Sequence, residues 1–532
     1  MTHNHSATDA RKPPRWLVVV LLVCGVIDGV LFFGDPVGDH ALGNVLVLIT
    51  SFIAFVCGTA WFSTSRGYPK WMRYGLLFSM AGVVAVAVVT LRIERLSGTL
   101  VPQMVPRWAE THDRLLAQPS QSAAIANLEK TSVHDFPQFL GQERNQCVSG
   151  IKLARDWRQT PPRVVWCREI GAGWSGFVAV NGFAVTMEQR GELELTTCYQ
   201  VKTGNVVWWR GDEVRFSEAR SSVGPRSTPT IHEGRVYTVG ATGILSCLQG
   251  HDGEPLWQRN ILKAVGTTAE QDTRLVAWGR SSSPLIVDDK VIVPGGGPES
   301  GPCVSLLACD KRTGEIVWRG GEQQISYSSP QLANLDGVLQ ILIVNEATVS
   351  GHDLSTGVTL WKTEWDGSSS NNASASQVVP LSDNRLFLSK GYYEGAKVIR
   401  ILRGTAEDWT VVDLWHQNRL LKTKLTNICV REHFAYGLSD GILECVDLTD
   451  GQRKWKRGRF GHGQILLVDD LLLVQSENGK IALVSAKPDG FVKLGEMNVL
   501  RGQAWNHLCL YNNYLLMRSD EEAACLELPL RD

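Results

Sequence analysis

Hydrophobic residues follow two different patterns along this chain. Three apolar runs occupy residues 16–33, 42–62 and 72–91, with lengths of 18, 21 and 20 residues. Runs of about 20 apolar residues match the length of a membrane-spanning helix. Beyond residue 135 the apolar stretches are short and bounded by turn residues, such as the run 291–293 after Asp288 and Asp289. We therefore predict three transmembrane helices followed by an all-β domain.

The β domain repeats a short phrase in which a Gly is followed four residues later by a Trp. It occurs as GNVVW, GEPLW, GEIVW, GVTLW and GQRKW, starting at residues 204, 253, 314, 357 and 451. Gly accepts the positive φ that a tight turn needs, and the run ending in Trp is the strand leaving that turn. Trp166 and Trp415 end similar strands, and a decayed copy covers residues 488–494. The repeat therefore has eight units, spaced by 39 to 61 residues.

Each unit reads as four short antiparallel strands, which form the blade of a β-propeller. The final segment, 508–530, supplies strands but no Trp phrase, whereas residues 163–170 supply a Trp strand with nothing before it. Joining the two segments completes one blade and removes the last open edge of the ring. We predict eight blades, or seven if one unit is miscounted.

The Asp-x-x-Thr-Gly-x-x-x-Trp type of repeat resembles the pyrroloquinoline-quinone (PQQ) type of propeller repeat, over residues 136–530. The segments FPQF (136–139), MEQRG (187–191) and GHGQ (461–464) resemble a bacterial subfamily of PQQ-like propeller proteins. The same repeat occurs in quinoprotein dehydrogenases and in BamB-like outer-membrane assembly factors. The resemblance implies that the repeated Trp residues dock between neighbouring blades: Trp166, Trp208, Trp257, Trp318, Trp361, Trp415 and Trp455.

Charges beside the apolar runs predict an orientation in the membrane. Residues 11–15 contain three basic side chains, and the second loop, with its edge, carries Arg66, Lys70 and Arg73. The first loop contains Asp35 and Asp39 and no Lys or Arg. By the positive-inside rule the N-terminus is cytoplasmic and the propeller lies outside the inner membrane, although Arg92 and Arg95 favour the opposite. We predict a cytoplasmic tail (1–15), a membrane segment (16–94), a linker (95–134) and a propeller (135–532).

Composition and motif spacing exclude several kinds of chemistry. Lys plus Arg number 53 against 54 Asp plus Glu, so no basic field exists to hold nucleic acid. The sequence contains no Cys-x-x-Cys or His-x-x-x-His spacing, and we predict no metal site. Cys198, Cys247 and Cys445 occupy a slot that other units fill with Ala308 or Gly351, which indicates tight packing. Cys303 and Cys309 form the best-spaced pair for a disulfide.

Six side chains outside the repeated phrase are candidates for binding. They lie at or near the start of the innermost strand of their blades, which lines one end of a propeller channel: Trp174, Arg226, Arg280, Tyr327, His462 and Trp505. Together they would form a polar-aromatic pocket at the channel mouth. Alternatively, they fill and rigidify the hub.

Three classes of function follow from these features. The first is a membrane-anchored scaffold that binds envelope proteins, and the second is an envelope sensor with a small ligand at the channel mouth. The third is a quinoprotein alcohol dehydrogenase, for which the resemblance implies vicinal cysteines, a Trp floor and calcium held by Glu, Asn and Asp. The chain has no Cys-Cys dipeptide and no recognisable calcium set. We therefore favour the scaffold, with no catalytic residue, quinone or calcium expected.

Overall fold

The computed structural model describes residues 12–34, 39–122, 124–129, 132–218, 220–370, 372–405 and 408–531. Residues 1–11 of the predicted cytoplasmic tail and Asp35 of the first loop lie outside the described residues. The chain divides into two compact units, Met1–Glu110 and Thr111–Asp532.

The first unit consists of three apolar helices and a hairpin: α1 (Arg15–Gly34), α2 (His40–Thr64), α3 (Lys70–Thr90), β1 (Leu91–Leu96) and β2 (Pro102–Pro106). Each helix is long and apolar enough to cross a membrane. The Asp39 carboxylate caps α2 by accepting a hydrogen bond from the Ala41 amide at 2.9 Å. Asp28, in the middle of α1, accepts a hydrogen bond from the Ser51 hydroxyl of α2 at 2.9 Å. β1 and β2 pair antiparallel, so part of the predicted linker (95–134) belongs to a strand pair.

The second unit begins with α4 (His112–Leu115), β3 (Cys147–Val148) and β4 (Arg163–Glu169). Blade I contains β5 (Val178–Val180), β6 (Phe183–Arg190), β7 (Leu193–Gln200) and β8 (Val206–Asp212), followed by the small pair β9 (Ser217–Glu218) and β10 (Ser222–Val223). Blade II contains β11 (Thr230–His232), β12 (Arg235–Val239), β13 (Ile244–Gln249) and β14 (Pro255–Asn260), followed by α5 (Ile261–Ala264) and α6 (Ala269–Leu275). Blade III contains β15 (Leu285–Val287), β16 (Lys290–Gly296), β17 (Val304–Asp310) and β18 (Ile316–Gly320).

Blade IV contains β19 (Gln331–Leu335), β20 (Val338–Val344), β21 (Thr348–Asp353) and β22 (Thr359–Glu364). Blade V contains β23 (Val379–Pro380), β24 (Arg385–Lys390), β25 (Gly395–Arg403) and β26 (Trp409–Gln417). Blade VI contains β27 (Cys429–Arg431), β28 (Phe434–Ser439), β29 (Ile442–Asp447) and β30 (Arg453–Arg459). Blade VII contains β31 (Gln464–Val468), β32 (Leu471–Gln475), β33 (Lys480–Ser485) and β34 (Lys493–Asn498).

Blade VIII is assembled from both ends of the second unit. It contains β35 (Cys509–Tyr511), β36 (Tyr514–Arg518), β37 (Glu522–Glu527) and, as its outer strand, β4. β4 pairs antiparallel with β37, with Cys525 opposite Trp166. The prediction of eight blades is therefore confirmed, and the joining of the two incomplete segments closes the ring.

The repeated Trp residues explain why the phrase begins with Gly. A Cβ added to Gly314 would lie 2.5 Å from Cε3 of Trp257, which belongs to the preceding blade. The same relation holds between Trp166 and Gly204 and between Trp318 and Gly357. Gly314 and Gly357 also have φ values of +71° and +76°. Only Gly meets both requirements, because it allows positive φ and leaves room for the indole of the neighbouring blade.

A β-bulge next to each docking Trp directs its ring towards the next blade. In blade III, Ala308 pairs with Trp318, but the next residue, Cys309, pairs with Ile316, so the register shifts there. The same shift occurs beside the pairs Cys198–Trp208 and Gly351–Trp361. A bulge increases local twist and re-aims a side chain. The small-residue slot seen in the sequence is therefore the position directly opposite the docking Trp.

Buried polar bonds join blade VIII to blade I where the ring closes. Arg518 of β36 is fully buried and donates hydrogen bonds to the Met187 and Gly171 carbonyls, both at 2.8 Å. Burial lowers the pKa of Arg518 to about 10, and the nearby Glu188 opposes this shift. A buried cation that lost these acceptors would be strongly destabilising, so the two blades are held in one register here.

Residues 136–148 fill the central channel, and we call this segment the central plug. Phe136 pairs with Ala179 of β5, and the Ile231 amide of β11 donates to the Pro137 carbonyl at 2.7 Å. Arg144 donates to the Pro284 carbonyl of blade III at 3.1 Å. Further along, β3 pairs in parallel with β31 of blade VII. The plug therefore ties together inner strands on opposite sides of the ring.

The second half of the predicted linker also lies on the ring. The Ser122 amide donates to the Val206 carbonyl of β8 at 2.9 Å, and the Trp209 indole donates to the Pro119 carbonyl at 2.9 Å. Leu128 is buried within the core that blades I and II share. Residues 112–129 thus belong to the compact propeller unit, because they supply partners for an outer strand that would otherwise be an open edge.

The docking geometry makes a prediction about two glycines with similar backbone. Gly314 and Gly337 have φ values of +71° and +79°, but a Cβ on Gly337 meets no atom within 4 Å. Gly337→Ala should therefore cost only about 1 kcal/mol for the strained backbone. Gly314→Ala should cost about 2 kcal/mol more, because its methyl group overlaps the Trp257 ring. Thermal unfolding in detergent should show Gly314→Ala melting several degrees below Gly337→Ala, and equal melting would contradict the docking account.

Candidate functional site

Residues just before the innermost strands of seven blades, all except blade VII, line a small cavity at one end of the channel. This mouth cavity has a volume of about 110 Å³. Four of the six predicted binding residues line it: Trp174, Arg226, Tyr327 and Trp505. Its remaining lining includes Trp278, Ser281, Asn427, His507 and Phe139 of the central plug. The cavity is thus a closed-ended, aromatic depression with the plug below it.

Two pairs of aromatic rings, one tilted and one stacked, line the mouth cavity. The Trp174 and Trp505 centroids are 4.8 Å apart, and Trp278 stacks on Tyr327 at 5.2 Å with an interplanar angle of 17°. Three of the four rings bond to the protein through their polar atoms, whereas the Trp278 indole nitrogen has no partner among the described residues. The Trp174 indole donates to the Ser221 carbonyl at 2.7 Å, and the Tyr327 hydroxyl donates to the Ser369 carbonyl at 2.5 Å. The walls therefore present mainly ring faces to the cavity.

Arg226 is held inside the mouth by the loop that contains β9 and β10. Its guanidinium donates to the Ser221 and Ser222 carbonyls at 2.7 and 2.9 Å and stacks 4.2 Å from the Phe216 ring centroid. Burial lowers the pKa of Arg226 to about 10, and the negative charge of Glu194 opposes this shift. Because several N–H groups of Arg226 are bonded to backbone carbonyl groups, its side chain is fixed in place as part of the cavity wall.

The other two predicted residues do not line the mouth cavity. Arg280 is buried in a bidentate ion pair with Asp272 of α6, with N–O distances of 2.7 and 3.1 Å. His462 is also buried, with its Nε2 4.0 Å from a carboxylate oxygen of Asp440. The Asp272 carboxylate of α6 holds Arg280 away from the cavity. The carboxylate beside the His462 imidazole is that of Asp440, in the turn between β28 and β29. The sequence predicted that Arg280 and His462 lie near the start of an innermost strand. It did not predict that Asp272 and Asp440 lie beside them.

Sequence reasoning also missed two residues of the cavity. Phe139 reaches it because the plug folds back through the channel, and its ring packs edge-on against His507 at 4.7 Å. Burial lowers the pKa of His507 to about 3, so this imidazole is neutral at physiological pH. Its Nδ1 has no hydrogen-bond partner among the described residues. The sequence did offer a signal for His507: it follows the predicted binding residue Trp505 by two positions and lies at the start of the same blade.

Cys303 and Cys309, the best-spaced pair in the sequence for a possible disulfide, are not bridged in this structure. Cys309 lies in β17, and Cys303 immediately precedes the same strand. Six residues of extended chain span about 20 Å, whereas bridged cysteines need Cα atoms within about 7 Å. Both cysteines are free thiols.

We tested whether the residues present could hold the calcium and quinone of the quinoprotein enzymes. Among the described residues, no three His, Cys, Asp or Glu side chains cluster closely enough to hold a metal ion. The mouth cavity, at about 110 Å³, is well below the roughly 300 Å³ at which ligand pockets usually begin. The described residues at this end of the channel thus show neither such a cluster nor a cavity of that size.

These features define a PQQ-type propeller whose channel is filled by its own chain. The profile described as "Outer membrane protein assembly factor BamB" matches residues 154–297 and 194–457, more than half of the chain. The chain therefore belongs to the family of outer membrane protein assembly factor BamB. The BamB of Yersinia pestis is 22% identical over 268 residues, which cover 48% of this chain and 60% of that protein. The match thus spans less than two thirds of that relative.

Solved structures show the same fold in enzymes. A europium-containing methanol dehydrogenase superposes with a TM-score of 0.54 at 11% identity, covering 74% of this chain and 90% of its own. Quinohemoprotein alcohol dehydrogenase from Comamonas testosteroni gives a TM-score of 0.53 at 11% identity, covering 75% and 81%. At such low identity the likeness concerns the propeller fold alone.

A buried carboxyl group near the mouth should make stability depend on pH. Glu194 of β7 is buried, and burial raises its pKa to about 7, although the Ala241 amide donates a hydrogen bond to it at 3.2 Å. Because the folded pKa is raised above the ordinary 4.5, folding favours the protonated form. The associated stability is present below pH 4.5 and is lost as pH rises towards 7.

We therefore predict that Glu194→Gln removes a pH dependence from the wild-type protein. Relative to this variant, the wild type should lose about 3 kcal/mol of stability between pH 4.5 and 7. Melting temperatures of both proteins across that range provide the measurement. Glu315→Gln, at an exposed position, is the control and should follow the wild type. A constant difference between wild type and Glu194→Gln would contradict the prediction.

Proposed function

We propose that this protein is a membrane-anchored, protein-binding scaffold of the bacterial envelope. The filled channel is the observation that carries the proposal. The central plug bonds to strands on opposite sides of the ring, and the mouth cavity has a volume of only about 110 Å³, so little space remains for a substrate in the channel. A rigid ring of this kind offers its faces and blade edges as binding surfaces.

Outer strands of blades II, III and IV supply a surface suited to a protein partner. Leu256 of β14, Val317 of β18 and Val358, directly before β22, belong to the docking phrase of their blades and are 44%, 49% and 59% exposed. β14, β18 and β22 are terminal strands of their sheets, and such edges can pair with an added strand. We call these three side chains the apolar edge.

Blade VI differs in a way that favours the apolar edge as the binding side. Its outer strand β30 has the sequence RKWKRGR, and Arg453, Lys454 and Arg457 are exposed. Charged side chains on an edge strand oppose pairing with another chain. The ring therefore combines charged and apolar edges, and a partner that adds a strand would choose the apolar side.

Support for an envelope location comes from the family and from the first unit. The three apolar helices are long enough to act as membrane anchors. With Arg66, Lys70 and Arg73 on the cytoplasmic side, an odd number of spans puts the propeller on the periplasmic side of the inner membrane. A sensor with its ligand at the channel mouth, or a quinoprotein enzyme, is less well supported, because the mouth cavity is smaller than the usual binding site of a small ligand. We propose that the protein holds no quinone or calcium.

The scaffold proposal predicts a specific loss of partners. Val317→Lys and Leu256→Lys should reduce capture of envelope proteins about tenfold or more in gentle detergent, because each puts a charge into an apolar contact. Their melting temperatures should stay close to that of the wild type, since both side chains are on the surface. Val492→Lys, at a residue 52% exposed on blade VII, is the matched control.

Two outcomes would contradict the proposal. Equal capture by Val317→Lys, Leu256→Lys and wild type would exclude the apolar edge as the binding surface. If the proteins lost in these variants are soluble cytoplasmic proteins, the proposed orientation in the membrane is wrong.

A further inference from the structure

Two cysteines meet where the central plug contacts blade VI. Cys147 lies in β3 of the plug, and Cys429 begins β27, the inner strand of that blade. The Cys147 thiol donates to the Val430 carbonyl at 3.7 Å, and the Cys429 thiol donates to the Gln146 carbonyl at 3.3 Å. Each thiol therefore bonds to the residue next to the other cysteine.

This arrangement differs from that of the slot cysteines. Cys198, Cys247 and Cys445 each pair with a docking Trp across neighbouring strands, so a ring occupies the space beside each sulfur. Cys147 and Cys429 instead come from segments far apart in the sequence and face each other across a packed contact. Both are reduced in this structure.

The two thiols differ in access to solvent. Cys429 is fully buried, whereas Cys147 is partly exposed and lines a surface groove of about 360 Å³ together with Pro380, Arg385 and His433. The contact with Cys429 lowers the pKa of Cys147, and burial opposes this shift, whereas burial raises the pKa of Cys429. The exposed thiol is thus also the one that ionises more readily, which suits it to be the attacking group.

We propose that Cys147 and Cys429 form a disulfide that locks the central plug to blade VI. The oxidant is a disulfide of low molecular weight or of an exchange protein, which reaches Cys147 through the groove. The Cys147 thiolate attacks one sulfur of that disulfide, forming a mixed disulfide and releasing the first thiolate. The Cys429 thiol loses its proton to solvent, attacks the Cys147 sulfur and expels the second thiolate. Two protein thiols are oxidised, and one external disulfide is reduced to two thiols.

The cross-link would change what the plug can do. In the reduced protein the plug is held by hydrogen bonds and packing, so local opening could release it from the channel. A bond from β3 to β27 would prevent that release and close a very long loop, which is the case in which loop-closure entropy favours a disulfide most. This inference does not depend on the partner-binding function, although an oxidising compartment would keep the bond formed.

The test uses the purified full-length protein in mild detergent. The protein is first reduced, the reductant is removed, and oxidised glutathione is added before the remaining thiols are alkylated under denaturing conditions. Peptide mapping should find one cross-link, between the peptides containing Cys147 and Cys429. The oxidised protein should melt several degrees above the reduced protein. Amide hydrogen exchange in residues 136–148 should become slower.

Single variants separate the two steps of the exchange. Cys429→Ser lacks the second thiol and should keep glutathione bound to Cys147, whereas wild type should release it. Cys147→Ser should gain neither glutathione at Cys429 nor the rise in melting temperature. Cys303→Ser, at a partly exposed thiol outside the plug, should behave like wild type.

Two results would overturn the proposal. One is that both thiols of the wild type remain free for alkylation after exposure to oxidised glutathione. The other is that glutathione stays on Cys147 in wild type as fully as in Cys429→Ser. Either result can be obtained even if one variant fails to fold, because alkylation and mapping of the wild type alone decide between bridge and no bridge.

Discussion

The contact between a Trp of one blade and a Gly of the next is the interaction on which the ring depends. Trp257 lies against Gly314, and Trp318 lies against Gly357; among the described residues, the same Trp–Gly contact positions blades I to IV and VI against the blade before. Three local features serve this contact: the positive φ of the Gly, the bulge beside the Trp and the small residue opposite it. A large aromatic side chain buried in this way stabilises its contact by several kcal/mol, and its repetition around the ring makes the blades cooperative.

The contacts between neighbouring blades leave two further requirements: the central channel must be filled, and the last blade must be joined to the first. Here the central plug fills the channel by bonding to strands on opposite sides, and β4 closes the seam beside Arg518. The result is a disc with a shallow aromatic mouth at one end. Since its interior is occupied, the surfaces left for recognition are the outer edges and the faces. The BamB family membership agrees with such a role, whereas the likeness to quinoprotein enzymes concerns the fold alone.

Much of the fold could be predicted from the sequence because one contact repeats. The Trp phrase fixes the position of the outer strand in most blades, and the two incomplete segments at 163–170 and 508–530 could only complete each other. The central plug could not be predicted in this way. Residues 136–148 have no strand periodicity, and their path depends on residues with positive φ such as Leu140, Arg144 and Gln146. Neither propensity nor spacing indicates that such a loop enters the channel.

The candidate site was only partly predictable, for a related reason. Strand starts converge on the channel by the symmetry of the ring, so Trp174 and Trp505 could be paired from their positions alone. Arg280 turns aside because Asp272, on a short helix inserted after blade II, binds its guanidinium. Likewise, Phe139 reaches the cavity only through the plug. The repeat therefore predicts the position of a residue on its blade. Irregular insertions determine which groups its side chain contacts.

The central claim is that this ring acts through its edge while its channel stays closed. A photo-activated cross-linking residue placed at Val358, on the edge of blade IV, or at Ser281, in the mouth cavity, would test it in living cells. We expect discrete protein adducts from position 358 and none from position 281. Protein adducts from position 281, with none from position 358, would contradict the account, because recognition would then occur at the channel mouth.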